Sequence, residues 1–452
     1  MYGLFTPSPV RFRLQQEPNR RNAYTGASPV DRATFPASRR GLARFVNDSE
    51  PIMSADVIAA ASQPSDEVLQ LIRTLVAFDT VSRNSNLGLI EWVRDRLRAQ
   101  GAECRLTYDA TGGKANLFAT LSPGRKPGLV LSGHTDVVPV DGQPWDTNPF
   151  DAQIRDGRLY GRGTADMKSF IAVALANVPA FMAAEGDASF HLSLSYDEEI
   201  GCVGVRSLLR DLEASGIQPA GCIVGEPTSM RAIIAHKGKR EYRCCVRGKE
   251  AHSALTPQGV NAIEFAALLI AHIRSLAARL AAEEARDVAF VVPHTTLNTG
   301  TIKGGIATNV VPRDCEFTFD FRYLPGTDPD WLFGEVERYA QQTLLPQMRE
   351  VSADADISFA MKANTPGLSI APSHELVSLA QALADGRGMV GKVDYGTEAG
   401  LFSRAGIPTV VCGPGNIEQA HKPNEYIELA QIAQCEAFMR RLAQRQPQLQ
   451  PA

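Results

Sequence analysis

Short apolar runs alternate with helical patterns along the first half of this chain, and this alternation constrains the fold more than any other sequence feature. Helical spacing, with apolar residues three and four apart, begins at Asp66. The apolar runs cover residues 115–121, 128–132, 190–196 and 221–225, and helical patterns cover 87–100, 167–184 and 201–214. Such alternation is typical of an α/β fold with a mixed, mostly parallel sheet flanked by helices.

The pattern changes near residue 233, where strand-like segments predominate up to about residue 363. There we expect four strands and two helices, which together predict a separate α+β unit inserted into the first domain. The strands are expected at 240–247, 295–302, 314–323 and 357–361, and the helices at 259–282 and 329–344. We therefore predict one α/β domain over 53–233 and 364–452, interrupted by an inserted domain over 234–363.

The first fifty residues differ from the rest in composition. They contain eight arginines, no lysine and four acids, without a periodic apolar pattern. This composition predicts a disordered extension over residues 1–52 or a working start at Met53. An arginine-rich transit peptide is the alternative.

Length, charge and cysteine usage exclude several classes of protein. A chain of 452 residues favours two domains. Its net charge of -4 disfavours a nucleic-acid binder, whose domains are usually basic. No apolar run approaches the roughly 20 residues that span a bilayer, so no membrane segment is expected. The eight scattered cysteines favour reduced thiols and a cytoplasmic location.

Histidines and acids occur where predicted strands end or in the loops that follow. The candidates are His134, Asp136, Asp166, Glu198, Glu199, Glu226 and His421. Because ligands gather at the carboxyl ends of strands in α/β sheets, these distant residues can converge. Imidazole and carboxylate are ligands that zinc accepts, so the pattern indicates a metal-dependent hydrolase. Solvated surface glutamates and an ordinary loop histidine are the alternatives for Glu198, Glu199 and His421.

Seven sequence motifs carry a family resemblance. They are TVSRNSNL (80–87), GHTDVVP (133–139), DGRLYGRGTADMK (156–168), GEPTSM (225–230), AHKGKR (235–240), GVNAIEFA (259–266) and GPGNIEQAHKPNEYI (413–427). In this order they resemble the M20 metallopeptidase family of dizinc amidohydrolases. The resemblance covers essentially everything after Met53.

The resemblance implies two zinc ions, for which cobalt is a substitute, bridged by Asp166. It implies that His134 and Glu226 complete one metal site, and that Glu199 and His421 complete the other. Glu198 is then expected to be the general base and acid, acting on a hydroxide shared by the two metals. Asp136 is expected to orient His134, since metal-bound imidazoles generally donate their second N–H to an outer acceptor.

The resemblance implies that residues 53–233 and 364–452 form the catalytic, metal-binding domain and that the inserted domain is a dimerisation lid, in a homodimer in which His252 reaches a neighbouring active site. Arg322 and Asn309 are then expected to hold the carboxylate of the substrate. These three residues also have structural alternatives. His252 could be an ordinary surface histidine, Arg322 could pair with Asp320 on one strand face, and Asn309 could shape a turn.

The expected reaction is hydrolysis of N2-acetyl-L-ornithine to ornithine and acetate in arginine synthesis, because the motifs are most similar to members with that activity. The rival reactions are desuccinylation of N-succinyl-diaminopimelate, deacylation of another N-acyl amino acid, and cleavage of a dipeptide. A non-catalytic binding protein on the same fold is the most distant alternative. The expected partner is a small-molecule substrate. Binding to nucleic acid or to a membrane is not expected.

Overall fold

The computed structural model describes residues 63–123, 125–384 and 390–445. The predicted extension over residues 1–52 lies outside these described ranges.

The strands follow one another from a first hairpin to a short strand near the carboxyl terminus. They are β1 (Glu103–Tyr108), β2 (Ala115–Thr120), β3 (Lys126–His134), β4 (Gln153–Arg155), β5 (Arg158–Tyr160), β6 (Ala188–Ser195), β7 (Gly221–Val224), β8 (Ile233–His236), β9 (Gly238–Arg247), β10 (Thr296–Gly304), β11 (Asp314–Tyr323), β12 (Asp356–Thr365), β13 (Leu368–Ser369), β14 (Gly391–Val393), β15 (Thr409–Val411) and β16 (Tyr426–Glu428).

The helices lie between these strands. They are α1 (Asp66–Ala77), α2 (Leu87–Ala99), α3 (Lys168–Ala176), α4 (Val178–Ala183), α5 (Gly204–Ala214), α6 (Ala262–Glu283), α7 (Pro329–Tyr339), α8 (Leu345–Arg349), α9 (Glu375–Leu383), α10 (Ala399–Arg404) and α11 (Leu429–Gln444). A 3-10 turn covers Ser253–Gln258, and a π turn over Ala340–Leu344 joins α7 to α8.

The large sheet has the order β1-β2-β6-β3-β7-β15-β8-β13, with β14 paired to β8. Its centre is parallel, because β6, β3, β7 and β15 all run in the same direction. Antiparallel pairs extend it on both sides, through β1 and β2 at one end and β8 and β13 at the other. This arrangement confirms the expected mixed α/β class.

Two hydrophobic cores cover the two faces of the large sheet. Because side chains alternate along a strand, Leu129 and Leu131 of β3 face one core while Val130 faces the other. Helices α1, α2, α3, α4, α9 and α11 pack on the first face. Helices α5 and α10 pack on the second.

The second sheet is antiparallel throughout and has the order β10-β11-β9-β12. Alternate residues of β11, including Phe317, Phe319 and Phe321, are buried against α6 and α7. Four strands and two long helices therefore form a separate layer with its own core, as the sequence pattern predicts. The domain boundaries at residues 234 and 363 remain a prediction.

Helix α6 is long and apolar enough to cross a bilayer by length and composition alone. Its buried residues are spaced three, four and seven apart, as in Leu269, Ile273 and Leu276, and they pack on the second sheet. This one-sided packing is that of an amphipathic helix that covers a sheet.

Several elements differ from the sequence expectation, and two of these differences have a clear physical reason. The single helix predicted over 167–184 breaks at Asn177, because Pro179 in the first turn of α4 cannot continue the hydrogen bonds of α3. Strand β1 was not predicted, since its residues are only partly buried and carry no clear alternation.

A small sheet of order β16-β5-β4 brings two distant loops together. Tyr426 of β16 pairs with Tyr160 of β5. The loop that follows β5 contains Asp166, and the loop that precedes β16 contains His421. The pairing therefore places these two loops side by side.

Candidate metal centre

Three neighbouring parallel strands deliver acids and a histidine to one edge of the large sheet. Strand β3 ends at His134, β6 ends three residues before Glu198, and β7 ends two residues before Glu226. Since β6, β3 and β7 are adjacent and parallel, their carboxyl ends meet at that edge. The structure thus brings together residues that are 92 positions apart in sequence, from 134 to 226.

The carboxylate of Asp166 lies between two histidines. Its Oδ1 is 2.9 Å from Nε2 of His134, and its Oδ2 is 3.2 Å from Nε2 of His421. Burial raises the pKa of Asp166, but hydrogen bonds from the two imidazoles outweigh it and hold that pKa well below its usual range. One carboxylate with an imidazole at each oxygen has the form required of a bridging ligand.

A hydrogen bond to the main chain fixes the orientation of His134. Its Nδ1 lies 2.9 Å from the backbone carbonyl of Asp136, which accepts the hydrogen bond. Because Nδ1 carries that proton, Nε2 is left to face Asp166 and, at 3.8 Å, Glu226. Asp136 therefore contacts His134 through its main chain, while its carboxylate lies 3.6 Å from Nδ1.

The carboxylate of Asp136 holds the acid pair that follows β6. Its oxygens accept hydrogen bonds from the backbone amides of Glu198 at 3.0 Å and Glu199 at 3.3 Å. The hydroxyl of Ser82 donates a third, at 2.7 Å. These bonds fix the turn that presents both glutamates to the site.

His421 approaches from the opposite side. Its Nε2 lies 3.1 Å from Glu199 Oε2, in addition to its contact with Asp166. The backbone of His421 has a φ of 65°, a left-handed conformation that is uncommon for a residue with a side chain. Such strained residues cluster at functional sites, where surrounding contacts hold them. The two carboxylates raise the pKa of His421 to about 10.

Glu226 is buried without a hydrogen-bonding cation. It is 4% exposed, and within the described residues its one ion pair is the 3.8 Å contact with His134. Burial, together with the charges of Asp166 and Glu198, raises the pKa of Glu226 well above its usual range. A buried carboxylate of this kind requires a proton or a cation.

Glu198 lies in the same cluster but in a different environment from Glu199. Burial raises the pKa of Glu198 to about 8, against the opposing charge of His134. The thiol of Cys202 donates to Glu198 Oε1 at 3.1 Å. A carboxyl group tuned toward neutral pH is suited to accept and return a proton.

The arrangement fits a divalent metal on the chemistry of its donors. Ligand atoms of His134, Asp166 and Glu199 lie within 4.8 Å of one another, as do those of His134, Glu198 and Glu226. Four carboxyl groups thus converge on two imidazoles in a largely buried site. Mixed imidazole and carboxylate donors suit zinc and its neighbours in the first transition row.

Glu425 and Arg162 form a support that the sequence patterns do not single out, although both lie within the family motifs. Glu425 Oε1 accepts hydrogen bonds from the backbone amides of Gly163, Ala165 and Asp166, at 3.1, 2.9 and 3.1 Å. Its other oxygen pairs with Arg162 at 2.6 Å, and both side chains are 1% exposed. The pair fixes the loop that carries Asp166.

The same arginine reaches the loop that carries His421. Arg162 Nη2 donates to the side chain of Gln143 at 2.7 Å, and Gln143 in turn donates to the backbone carbonyl of His421 at 3.1 Å. Both loops are therefore held by one buried guanidinium. No local sequence pattern indicates this role, although Glu425 lies four residues after His421.

The three residues predicted in the inserted unit lie outside these contacts. Arg322 is on β11, whereas His252 and Asn309 lie in segments between the strands of the second sheet. His252 is exposed, and its Nδ1 accepts a hydrogen bond from the backbone amide of Ala254 at 3.1 Å. The carbonyl of Asn309 accepts from Ser253, so His252 and Asn309 occupy neighbouring segments. Arg322 donates to Asp320 at 3.1 Å, the strand-face pair that was its structural alternative. Within the described ranges, no hydrogen bond or ion pair joins them to the metal-ligand cluster.

Comparison with known proteins gives consistent results. Residues 130–445 match the family described as Peptidase family M20/M25/M40. The chain is 34% identical over 381 residues to acetylornithine deacetylase of Proteus mirabilis, which covers 83% of this chain and 95% of that protein.

Solved structures share the fold at lower identity. Aminopeptidase PepT from Bacillus cereus superposes with a TM-score of 0.65 at 22% identity, covering 85% of this chain and 100% of that one. The M20 family metallo-carboxypeptidase Sso-CP2 from Sulfolobus solfataricus gives a TM-score of 0.65 at 18% identity, covering 83% and 99%.

Proposed function

Because this chain belongs to peptidase family M20/M25/M40, we propose that it is a dizinc amidohydrolase that removes the acetyl group from N2-acetyl-L-ornithine. The position of Asp166 between His134 and His421 supports the metal-dependent mechanism most directly. The 34% identity to acetylornithine deacetylase of Proteus mirabilis supports the substrate. We further propose that it acts as a homodimer in the cytoplasm, within arginine synthesis.

Five residues are proposed as ligands. Asp166 would contribute one oxygen to each ion, with His134 and Glu226 completing one site and Glu199 and His421 the other. Divalent ions held there supply a Lewis acid that polarises the amide carbonyl and lowers the pKa of water. The three ligand carboxylates would carry three negative charges and the two divalent ions four positive charges. The net charge of plus one would stabilise the oxyanion that develops in amide hydrolysis.

Glu198 is proposed as the general base and acid. Its carboxyl group lies beside the ligands, and its backbone amide is held by Asp136 at 3.0 Å. Burial raises its pKa to about 8, which gives its carboxylate a high affinity for a proton. It would take a proton from the attacking water and deliver it to the departing amine, a role that contributes roughly 10²–10⁴-fold.

The inserted unit is proposed to complete the site across a dimer. His252 of the partner subunit would donate to the oxyanion, and Arg322 with Asn309 would bind the carboxylate of the substrate. The exposure of His252 supports this assignment, since a residue that acts in another subunit must be free at the surface. Arg322 is 39% exposed and so remains able to bind a second carboxylate.

A substrate panel tests the proposal. The zinc-loaded protein would be assayed for amine release from N2-acetylornithine, N-succinyl-diaminopimelate, N-acetylmethionine and a dipeptide, each with and without chelator. We expect the highest kcat/KM for N2-acetylornithine, and loss of activity with chelator. Preference for another acyl group would overturn the substrate assignment, and inactivity on all four with metal bound would overturn the amidohydrolase assignment.

A further inference from the structure

A surface groove of about 870 Å³ lies on the face of the large sheet opposite α1. It is formed by helix α5, the segment that follows it, and helix α10 with the turn after that helix. Its volume falls within the roughly 300–1,000 Å³ typical of small-molecule sites. None of its lining residues belongs to the candidate metal centre.

Three arginines line this groove without an acidic partner. Arg206, Arg210 and Arg404 form no ion pair within 4.0 Å in the described part of the chain, whereas many other arginines there do. One carboxylate, Glu213, also lines the groove. Three guanidinium groups and one carboxylate leave a net positive charge of two.

The positive charges of the three arginines are not neutralised by the groups to which they donate hydrogen bonds. Arg206 is half-buried, and burial together with the positive charge of Arg404 lowers its pKa. Its guanidinium donates to the backbone carbonyls of Gly201 and Asn364 rather than to a carboxylate. Within the described residues, Arg210 donates only to the backbone carbonyl of Arg206, at 3.3 Å. The positive charge of the groove is therefore uncompensated by the protein.

The floor of the groove is apolar. Leu212, Leu401 and Ile407 are 2%, 8% and 4% exposed and belong to the core beneath α5 and α10. Leu209 and Ile217 are partly buried and pack against that core at the groove. An apolar floor beside unpaired guanidinium groups is the combination found where a ligand has both a charged and an apolar part.

We propose that this groove binds a small amphiphilic anion, with its carboxylate, phosphate or sulfonate group on the three arginines and its apolar body on the leucine and isoleucine floor. Guanidinium groups bind such oxyanions through paired hydrogen bonds, which a lone chloride or a neutral apolar molecule cannot accept. The proposal is independent of the metal centre, because none of the residues that line the groove is a proposed metal ligand or the proposed base.

Fluorescence titration of the full chain with 8-anilinonaphthalene-1-sulfonate tests the proposal. We expect the double substitution Arg210→Gln with Arg404→Gln to raise the Kd of this probe by about tenfold, through loss of two charged partners. Arg274→Gln is the matched control, because Arg274 is exposed on α6 and away from the groove. The control should leave the Kd unchanged.

Two further probes separate the charged and apolar contributions. The neutral analogue N-phenyl-1-naphthylamine should bind less tightly than the sulfonate and should not respond to the arginine substitutions. Inorganic sulfate should compete at least about tenfold more weakly than the sulfonate probe, because it lacks the apolar body.

Several outcomes would overturn the assignment. An unchanged Kd in the double variant would mean that the probe binds elsewhere. If the neutral analogue bound as tightly as the sulfonate probe, the arginines would not contribute to binding. If sulfate bound as tightly as that probe, the apolar floor would not contribute. Circular dichroism of each variant establishes folding, and Arg404→Gln alone, at an exposed position, replaces the double variant if that variant does not fold.

Discussion

The carboxylate of Asp136 accepts a hydrogen bond from the backbone amide of Glu198 at 3.0 Å, although the two residues lie on different loops. The same carboxylate accepts from Glu199, and the backbone carbonyl of Asp136 holds His134. Asp136 thus connects a proposed ligand to the proposed base, and we propose that its role is to position both.

Substitution Asp136→Asn should lower kcat by about 10- to 100-fold, as for other groups that orient metal ligands. The new amide has only one acceptor oxygen, so it cannot satisfy Glu198, Glu199 and Ser82 together. Steady-state kinetics with acetylornithine and elemental analysis of bound zinc would measure the effect. Asp141→Asn is the control, since Asp141 is exposed and pairs only with Arg83 at the surface. Wild-type kinetics in Asp136→Asn would contradict the positioning role.

Glu198→Gln and Glu199→Gln should have different effects although the residues are adjacent. Loss of a general base should lower kcat by roughly 10²–10⁴-fold while two zinc ions stay bound. Loss of a ligand should instead lower the zinc content. Metal analysis of both variants after dialysis, alongside their rates, distinguishes the two roles. Loss of zinc from Glu198→Gln would assign Glu198 as a ligand, as its position near His134 and Glu226 allows.

Much of the metal centre could be predicted from sequence because it depends on strand ends. The apolar runs that end near His134, Glu198 and Glu226 become neighbouring parallel strands, and topology then brings the side chains together. His421 follows no long strand, and its prediction depended on the family motif.

The support of the site could not be predicted in the same way. Arg162 and Glu425 are 263 positions apart, and nothing in the local pattern of either indicates a buried pair. Their contact depends on the pairing of two three-residue strands, β5 and β16, which are too short to give a periodic signal. Long-range pairs of this kind become evident only from the fold.

Arg162→Gln should lower the free energy of unfolding by about 3–5 kcal/mol, because it leaves Glu425 buried without its partner. Urea denaturation of the metal-free protein would measure this change. Arg83→Gln removes a surface ion pair whose side chains are 53% and 65% exposed, so it should cost less than about 1 kcal/mol. Equal stabilities of the two variants would show that the buried pair does not support the Asp166 loop.

Metal binding should release protons and tighten as the pH rises. Without metal, the pKa of His421 is about 10, so its imidazole is protonated at pH 7 and must lose that proton to become a ligand. For each proton that zinc displaces, the zinc affinity should increase by up to about tenfold per pH unit as the pH rises toward that pKa. Calorimetric titration with zinc in buffers of different ionisation enthalpy would count the protons. Zero release at pH 7 would contradict the assignment of His421.

His191 should make the protein less stable in mild acid. Burial lowers its pKa to about 4, with its ring stacked on Phe118 and its Nδ1 3.1 Å from the hydroxyl of Thr120. Between pH 6.5 and 4 the unfolded chain therefore binds more protons than the folded one, and stability falls as the pH falls. The loss approaches roughly 3 kcal/mol at pH 4.

Unfolding free energies at pH 7 and pH 4.5 would measure this effect. In His191→Asn the difference between the two values should shrink. His374→Asn is the control, because His374 is half-buried and caps helix α9, a role that asparagine can also fill. An unchanged pH dependence in His191→Asn would exclude His191 as the group responsible.

Anomalous diffraction from zinc-soaked crystals, recorded above and below the zinc absorption edge, tests the central claim most directly. The proposed arrangement predicts two zinc peaks, one between Asp166, His134 and Glu226 and the other between Asp166, Glu199 and His421, with Asp166 bound to both. A single peak, or two peaks without Asp166 as a shared ligand, would contradict it.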